Sequence, residues 1–167
     1  MKNRHLTYPI LAAAVGIAIA VTAFATPGSG VLSAPVFARA SFEESVDIKF
    51  KIKDGSQNVL NVPNARETVV QQIVISPGGQ TGWHSHPGPV IVLIKAGALT
   101  FYDGDDPACG SRTYSTGEAF IDSGQGHVHY ARNESASEDL ELWAVYIDVP
   151  PGGAFRIDAP APGNCPF

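Results

Sequence analysis

Apolar and polar residues alternate along residues 46–52, where Val46, Ile48, Phe50 and Ile52 are separated by Asp47, Lys49 and Lys51. A period of two belongs to an extended chain with one buried face, so the segment is predicted to be a strand. Further apolar or β-branched runs fall at 68–76, 90–94, 98–102, 112–114, 119–121, 127–132 and 140–149, the last being the longest. Turn residues punctuate them: Pro77-Gly78-Gly79, Ala96-Gly97, Asp103-Gly104-Asp105-Asp106-Pro107 and Pro150-Pro151-Gly152-Gly153. Asp54-Gly55 and Asn61-Val62-Pro63-Asn64 also read as turns. No segment beyond the N-terminal region shows a 3.6-residue apolar period. Short strands about ten residues apart predict an all-β, single-domain antiparallel barrel or sandwich.

The N-terminal region has a different pattern. Lys2, Arg4 and His5 precede an apolar stretch from Tyr8 to Ala25, and Ala23-Phe24-Ala25 fits an A-x-A cleavage site. Residues 1–25 therefore read as a secretory signal peptide. Left uncleaved, the same stretch is just long enough to anchor the chain in a membrane. Either way the globular part is expected outside the cytoplasm, secreted or in the periplasm or cell envelope. Residues 26–45, rich in Pro, Gly, Ser and small apolar residues, read as an extended arm. The barrel is expected over 46–150, followed by a proline-rich tail over 151–167.

Composition narrows the function. A chain of 167 residues, 44% apolar, supports one core, and its 17 glycines and 13 prolines favour turns over helices. The formal net charge of −5 becomes about −7 once Lys2 and Arg4 are removed. An acidic chain without a basic stripe is a poor partner for phosphate backbones, so no nucleic acid is expected. Cys109 and Cys165 form no C-x-x-C pair; after export they read as one structural disulfide, two free thiols being the alternative. Loop closure would stabilise such a bridged chain by about 4 kcal/mol at most.

The candidate chemistry lies in the histidines. Apart from His5, all fall in two glycine-rich segments, Gly78 to Pro87 with His84 and His86, and Gly124 to His129 with His127 and His129. In an extended chain residues i and i+2 share a face roughly 6.5 Å apart, so His84 and His86 can aim at one point. A third imidazole from a neighbouring strand would complete a facial metal-binding set. An H-x-H pair on an exposed strand has no function of its own; two pairs holding every histidine of the mature chain favour a metal site.

At this point the sequence resembles a known family. Cupin barrels carry G-x5-H-x-H-x3-4-E-x6-G, and this chain has Gly78, His84, His86, Val90 and Gly97 at those positions, with Val90 in place of the acid. Their second motif, G-x5-P-x-G-x2-H-x3-N, is matched by Gly126, His129 and Asn133; Gly124 replaces the proline, and Gly117 lies one residue too far upstream. The resemblance runs from about Lys51 to Val149 and implies a jelly-roll barrel with a small-molecule ligand inside. It also implies a divalent metal, Fe, Mn, Cu, Zn or Ni, on His84, His86 and His129. Without a carboxylate ligand such a site keeps more of the ion's charge and more open positions, for water or an anionic substrate. Three-histidine sites resemble those of thiol dioxygenases in the same superfamily.

Several readings stay open. His127 reads as a fourth ligand, a partner of a ligand, a proton shuttle or a rim residue facing solvent. Glu118 and Asp122 are candidate replacements for the missing carboxylate. Trp83, Tyr102, Phe120 and Trp143 read as packing. Asn133-Glu134-Ser135 fits a glycosylation sequon, although the barrel motif accounts for Asn133 better. The function is expected to be either metal-dependent oxygenation of a small molecule or non-catalytic binding or structural support. A homodimer through the strands is possible from the resemblance.

Overall fold

The computed structural model describes residues 25–52 and 59–167. The proposed signal peptide up to Phe24 and the Asp54-Gly55 turn lie outside the described residues. Eleven strands follow: β1 (Ser29–Ser33), β2 (Val36–Lys51), β3 (Val59–Gln80), β4 (His84–Ser85), β5 (Val90–Ala96), β6 (Ala98–Asp103), β7 (Ser111–Ser115), β8 (Ala119–Asp122), β9 (His129–Arg132), β10 (Leu140–Val149) and β11 (Ile157–Asp158). There is no helix among the described residues, and every strand pairing is antiparallel.

The strands form two faces of a nearly closed barrel. One runs β2-β3-β10-β5-β8, and the other β7-β6-β9-β4-β11. Strand β3 joins them, pairing with β10 as far as Ile75 and with β9 at Gln80. Pro77-Gly78-Gly79, expected to stop a strand, is instead the corner where β3 turns from one face to the other. The backbone amide of Gly78, with φ 69°, bonds to the carbonyl of Asn133 across that corner. Alternating residues of β10, namely Leu140, Leu142, Ala144 and Tyr146, point inward to meet Val69, Ile75, Val90, Val92, Ile94 and Leu99. Burial of such apolar side chains, each worth about 1.5–3 kcal/mol, is what closes the two faces on one another.

Two expectations need correction, the turn at 61–64 and the strand start at 127, and the arm and tail gain detail. The arm over 26–45 is hydrogen-bonded sheet: β1 and the first half of β2 pair with β3. Arg39 holds it there, reaching Glu67 on β3 and the carbonyls of Pro150 and Gly153. Asn61-Val62-Pro63-Asn64 is not a free turn but an irregular stretch inside β3, with Asn64 at φ 55° and slipped pairing to β2 nearby. The run at 127–132 begins as a strand only at His129. The proline-rich tail contributes the two-residue β11 against β4.

Beyond β10 the tail crosses the outside of the histidine-bearing face. Cys165 is bonded to Cys109 in a disulfide. Phe167 stacks over Trp83 and Tyr130, and the Asn164 amide donates to the carbonyls of Gly104 and Asp106. Trp83, Tyr130 and Ala159 thus make a small core of their own under the tail, apart from a further one at Val62, Ala65 and Ile147.

Asn133 is fully buried, its Nδ2 donating to the carbonyls of Ile75 and Glu138 while its Oδ1 accepts from the amide of Ser135. A side chain so enclosed belongs to the corner, and in the folded protein it is no acceptor for a glycan. Asn133→Ala should lower the unfolding free energy by about 2–4 kcal/mol, since it strands two or more buried partners. Urea denaturation checks this, and a loss below about 0.5 kcal/mol would contradict the bracing role.

Candidate metal centre

Two rows of cross-strand neighbours face each other across the barrel, and the ends of the first, Asp158 and Asp103, reach its exposed edge. On one face Asp158, His84, His129 and Asp103 lie side by side across β11, β4, β9 and β6. On the other, Val69, Tyr146, Val90 and Asp122 do so across β3, β10, β5 and β8. Strand alternation turns Trp83 out to the tail and His84 in to the cavity. His86, just past β4, repeats the inward direction.

The structure brings His84, His86 and His129 together: one ring nitrogen from each lies within 4.8 Å of the others, and all three side chains are buried. The imidazole of His84 donates from Nδ1 to the carbonyl of Gly82 at 2.8 Å. His86 donates from Nδ1 to the carbonyl of Phe155 in the tail at 2.7 Å. Each of these bonds fixes the tautomer and leaves Nε2 as a lone-pair donor, the arrangement usual for metal-ligating histidine. Gly82 is needed for this. Its φ is 73°, and a Cβ there would fall 2.0 Å from the carbonyl oxygen of Thr26.

Electrostatics keep these rings neutral. Burial pushes the pKa of His84 and His129 well below the ordinary histidine value, and that of His86 down as well. The charge of Arg156 adds to the effect on His84 and His86. His129 Nδ1 is buried without a hydrogen bond, 3.5 Å from Asp122 Oδ1, and Asp122 Oδ2 is likewise unpartnered. Three neutral, convergent imidazoles beside an orphaned carboxylate oxygen are a donor set that fits a divalent transition metal.

The alternatives for the acid resolve unequally. Val90, at the acidic position of the motif, sits directly across from Asp122 on β8. Asp122 lines the same chamber as the histidines, so a carboxylate does face it, from the neighbouring strand. Glu118 does not; it caps the β7–β8 turn by accepting from the amide of Ser115.

His127 lies in the turn before β9, clasped between two carboxylates. Its Nδ1 is 3.0 Å from Asp122 and its Nε2 2.9 Å from Asp103. With both nitrogens donating, the ring is an imidazolium, and the bond to Asp122 is the main cause raising its pKa to about 9 against the opposing effect of burial. It is no solvent-facing rim residue; both its nitrogens are taken by carboxylates, and one lies within 4.8 Å of a ligand atom of His129. Of the aromatic residues, Trp83 packs under the tail, Trp143 stacks on Phe37, and Phe120 lines the inner chamber.

The chamber is narrow, about 40 Å³, with Phe101, Phe120, Leu99 and Val92 among its walls. It adjoins a cleft of about 450 Å³ that shares Ile73, Thr81, His84 and Tyr146 with it. The cleft is bounded by Pro27, Gly28, Val31 and Ala34 from the N-terminal side and by Phe155, Arg156 and Asp158 from the tail. Sequence reading missed Arg156, which lies in a segment without periodicity. Tyr146 was within reach, since it shares the inward parity of Leu140, Leu142 and Ala144.

No family model and no curated protein matches the chain. Among solved structures it is similar to vicilin from Capsicum annuum, at 14% identity over 56% of this chain and 25% of that one, with a TM-score of 0.48. It is also similar to a Cupin 2 conserved barrel domain protein from Salinispora arenicola, at 19% identity over 47% of this chain and 60% of that one, TM-score 0.40. A double-stranded β-helix protein from Klebsiella pneumoniae is similar at 20% identity over 74% and 90%, TM-score 0.44. The chain thus spans a quarter of the vicilin and 60% of the Salinispora protein.

The buried charges set a pH profile for the metal-free protein. Histidines kept neutral in the fold bind protons on unfolding, so stability falls as pH drops below about 6.5. His127 has the opposite sign. Its contribution is complete below about 6.5 and is lost as pH rises through the folded value of about 9. Stability should therefore peak near pH 6.5, and His127→Gln should flatten the alkaline side. Urea midpoints from pH 5 to 10 in a chelator test this; an unchanged alkaline side in the variant would contradict the clasp.

Proposed function

We propose that this chain is an exported cupin-type barrel that holds one divalent metal ion through His84, His86 and His129 and offers its open positions to a small molecule entering by the cleft. The observation carrying this reading is the convergence of three buried, neutral imidazoles, two with Nδ1 tied to backbone carbonyls. The two sequence motifs support the family assignment. The Cys109–Cys165 bond supports export, because such bridges persist in oxidising compartments.

When bound, an ion of this kind supplies Lewis acidity, or electron transfer if it is redox-active. The chain's own residues do the rest. Asp122 stands behind His129 and, once hydrogen-bonded to its Nδ1, would orient the ring and raise its basicity. His127, itself anchored by Asp103, holds Asp122 in place and offsets its charge. Phe101, Phe120 and Leu99 keep bulk water from the chamber. Oxygenation of a small organic substrate is the catalytic form of this proposal; a non-catalytic binding barrel is its alternative.

Elemental analysis of tag-free protein should find about one transition-metal ion per chain, lost in His86→Ala. Asp122→Asn should keep the stoichiometry while weakening affinity about 10–100-fold in a chelator competition. Absence of metal from the wild-type protein after reconstitution with iron, manganese, copper, zinc and nickel would leave only the non-catalytic alternative.

A further inference from the structure

Within the described residues, Arg156 is the one lysine or arginine that lines the cleft in front of the histidines. Its guanidinium is already positioned: Nε donates to Asp158 at 2.8 Å and Nη2 to the carbonyl of Thr81 at 2.6 Å. Nη1 makes no hydrogen bond to the described residues. Asp158, on the same cleft, is directly opposite His84 in the β11–β4 pair, so the arginine stands beside the histidine-bearing row. The remaining wall is largely apolar, with Val31, Ala34, Ile73 and Phe155 on it. Gln71 and Tyr146 also line it but are engaged, Tyr146 Oη donating to Gln71 Oε1 and Gln71 Nε2 donating to the carbonyl of Ala34.

We propose that this cleft is a recognition site for a small monocarboxylate, with the anionic head between the histidine centre and Arg156 Nη1 and the apolar body along Val31, Ala34 and Ile73. The proposal rests on the metal reading for one of the two contacts to the head. The uncommitted Nη1 amino group suits a carboxylate oxygen, while the Nε and Nη2 donors already spent on Asp158 and Thr81 leave less of the fork for a bidentate clamp. Asp158 opposes a second negative charge, which selects a monoanion over a phosphate dianion. Arg156 itself disfavours a cationic ligand. An apolar wall with one charged contact is the usual economy of small-molecule sites, where few polar groups fix orientation.

The test is titration of zinc-loaded protein with benzoate, benzamide and inorganic phosphate, followed by calorimetry or ligand-observed NMR. Benzoate should bind saturably and benzamide about tenfold more weakly. Arg156→Gln should weaken benzoate about tenfold and leave benzamide unchanged, while Arg156→Lys recovers part of the loss. Thermal midpoints of both variants report whether the tail stays docked. Unchanged benzoate affinity in folded Arg156→Gln protein, or tighter binding of phosphate than of benzoate, overturns the proposal. The same titration on His86→Ala separates the two readings. Weaker benzoate binding there supports both contacts to the head. Affinity equal to the wild type but still dependent on Arg156 keeps the carboxylate site and removes the metal from it.

Discussion

The register between β4 and β9 is the constraint on which the centre depends. His84 lies directly across from His129, with Asp103 and Asp158 extending the same row. Because side chains alternate with a period of two, a slip of one residue would turn an imidazole out of the barrel and its neighbour in. Both strands are very short, two and four residues, too short to hold that register by ladder bonds alone. Packing outside the barrel completes it. Trp83 and Tyr130, the outward neighbours of the two histidines, meet at 5.3 Å under the tail. The inner chemistry and the outer aromatic core are two sides of the same alternation.

Charge inside the barrel is arranged with similar economy. An isolated buried carboxylate is costly, and Asp122 avoids that cost by facing the His127 imidazolium. The three chamber imidazoles need no counter-charge, since burial keeps them neutral. This division sets a compensated ion pair beside neutral donors in the same interior. It also explains how a hydrophobic Val90 is accommodated at the acidic position of the motif. A carboxylate faces the chamber from Val90's cross-strand partner, Asp122.

Much of this was legible in the residues. The long apolar run over 140–149 located β10, and glycine-rich H-x-H spacing brought the histidines forward, because both patterns are local. The poorly legible features depend on distant partners. The arm over 26–45 has no alternation to mark it as sheet, and it is held by Arg39 reaching Glu67 and the β10 terminus. The corner at Pro77-Gly78-Gly79 looks like a strand end unless the two faces it joins are known. His127 was two residues from His129 and seemed to share its face, but the Gly126 turn places it between carboxylates contributed by β6 and β8. Arg156 carries no pattern at all.

The segments that frame the cleft come from opposite ends of the described chain: Pro27, Gly28 and Val31 on one side, Phe155 to Asp158 on the other. They meet where the Thr26 amide bonds to the carbonyl of Ala159, and Ala25 bridges to Pro160. A mouth built this way is a long-range closure, and contacts so distant along the chain form late because the loop entropy must be met first. The entrance takes shape only when both ends of the described chain are in place, and the Phe155 carbonyl that orients His86 arrives with the same tail.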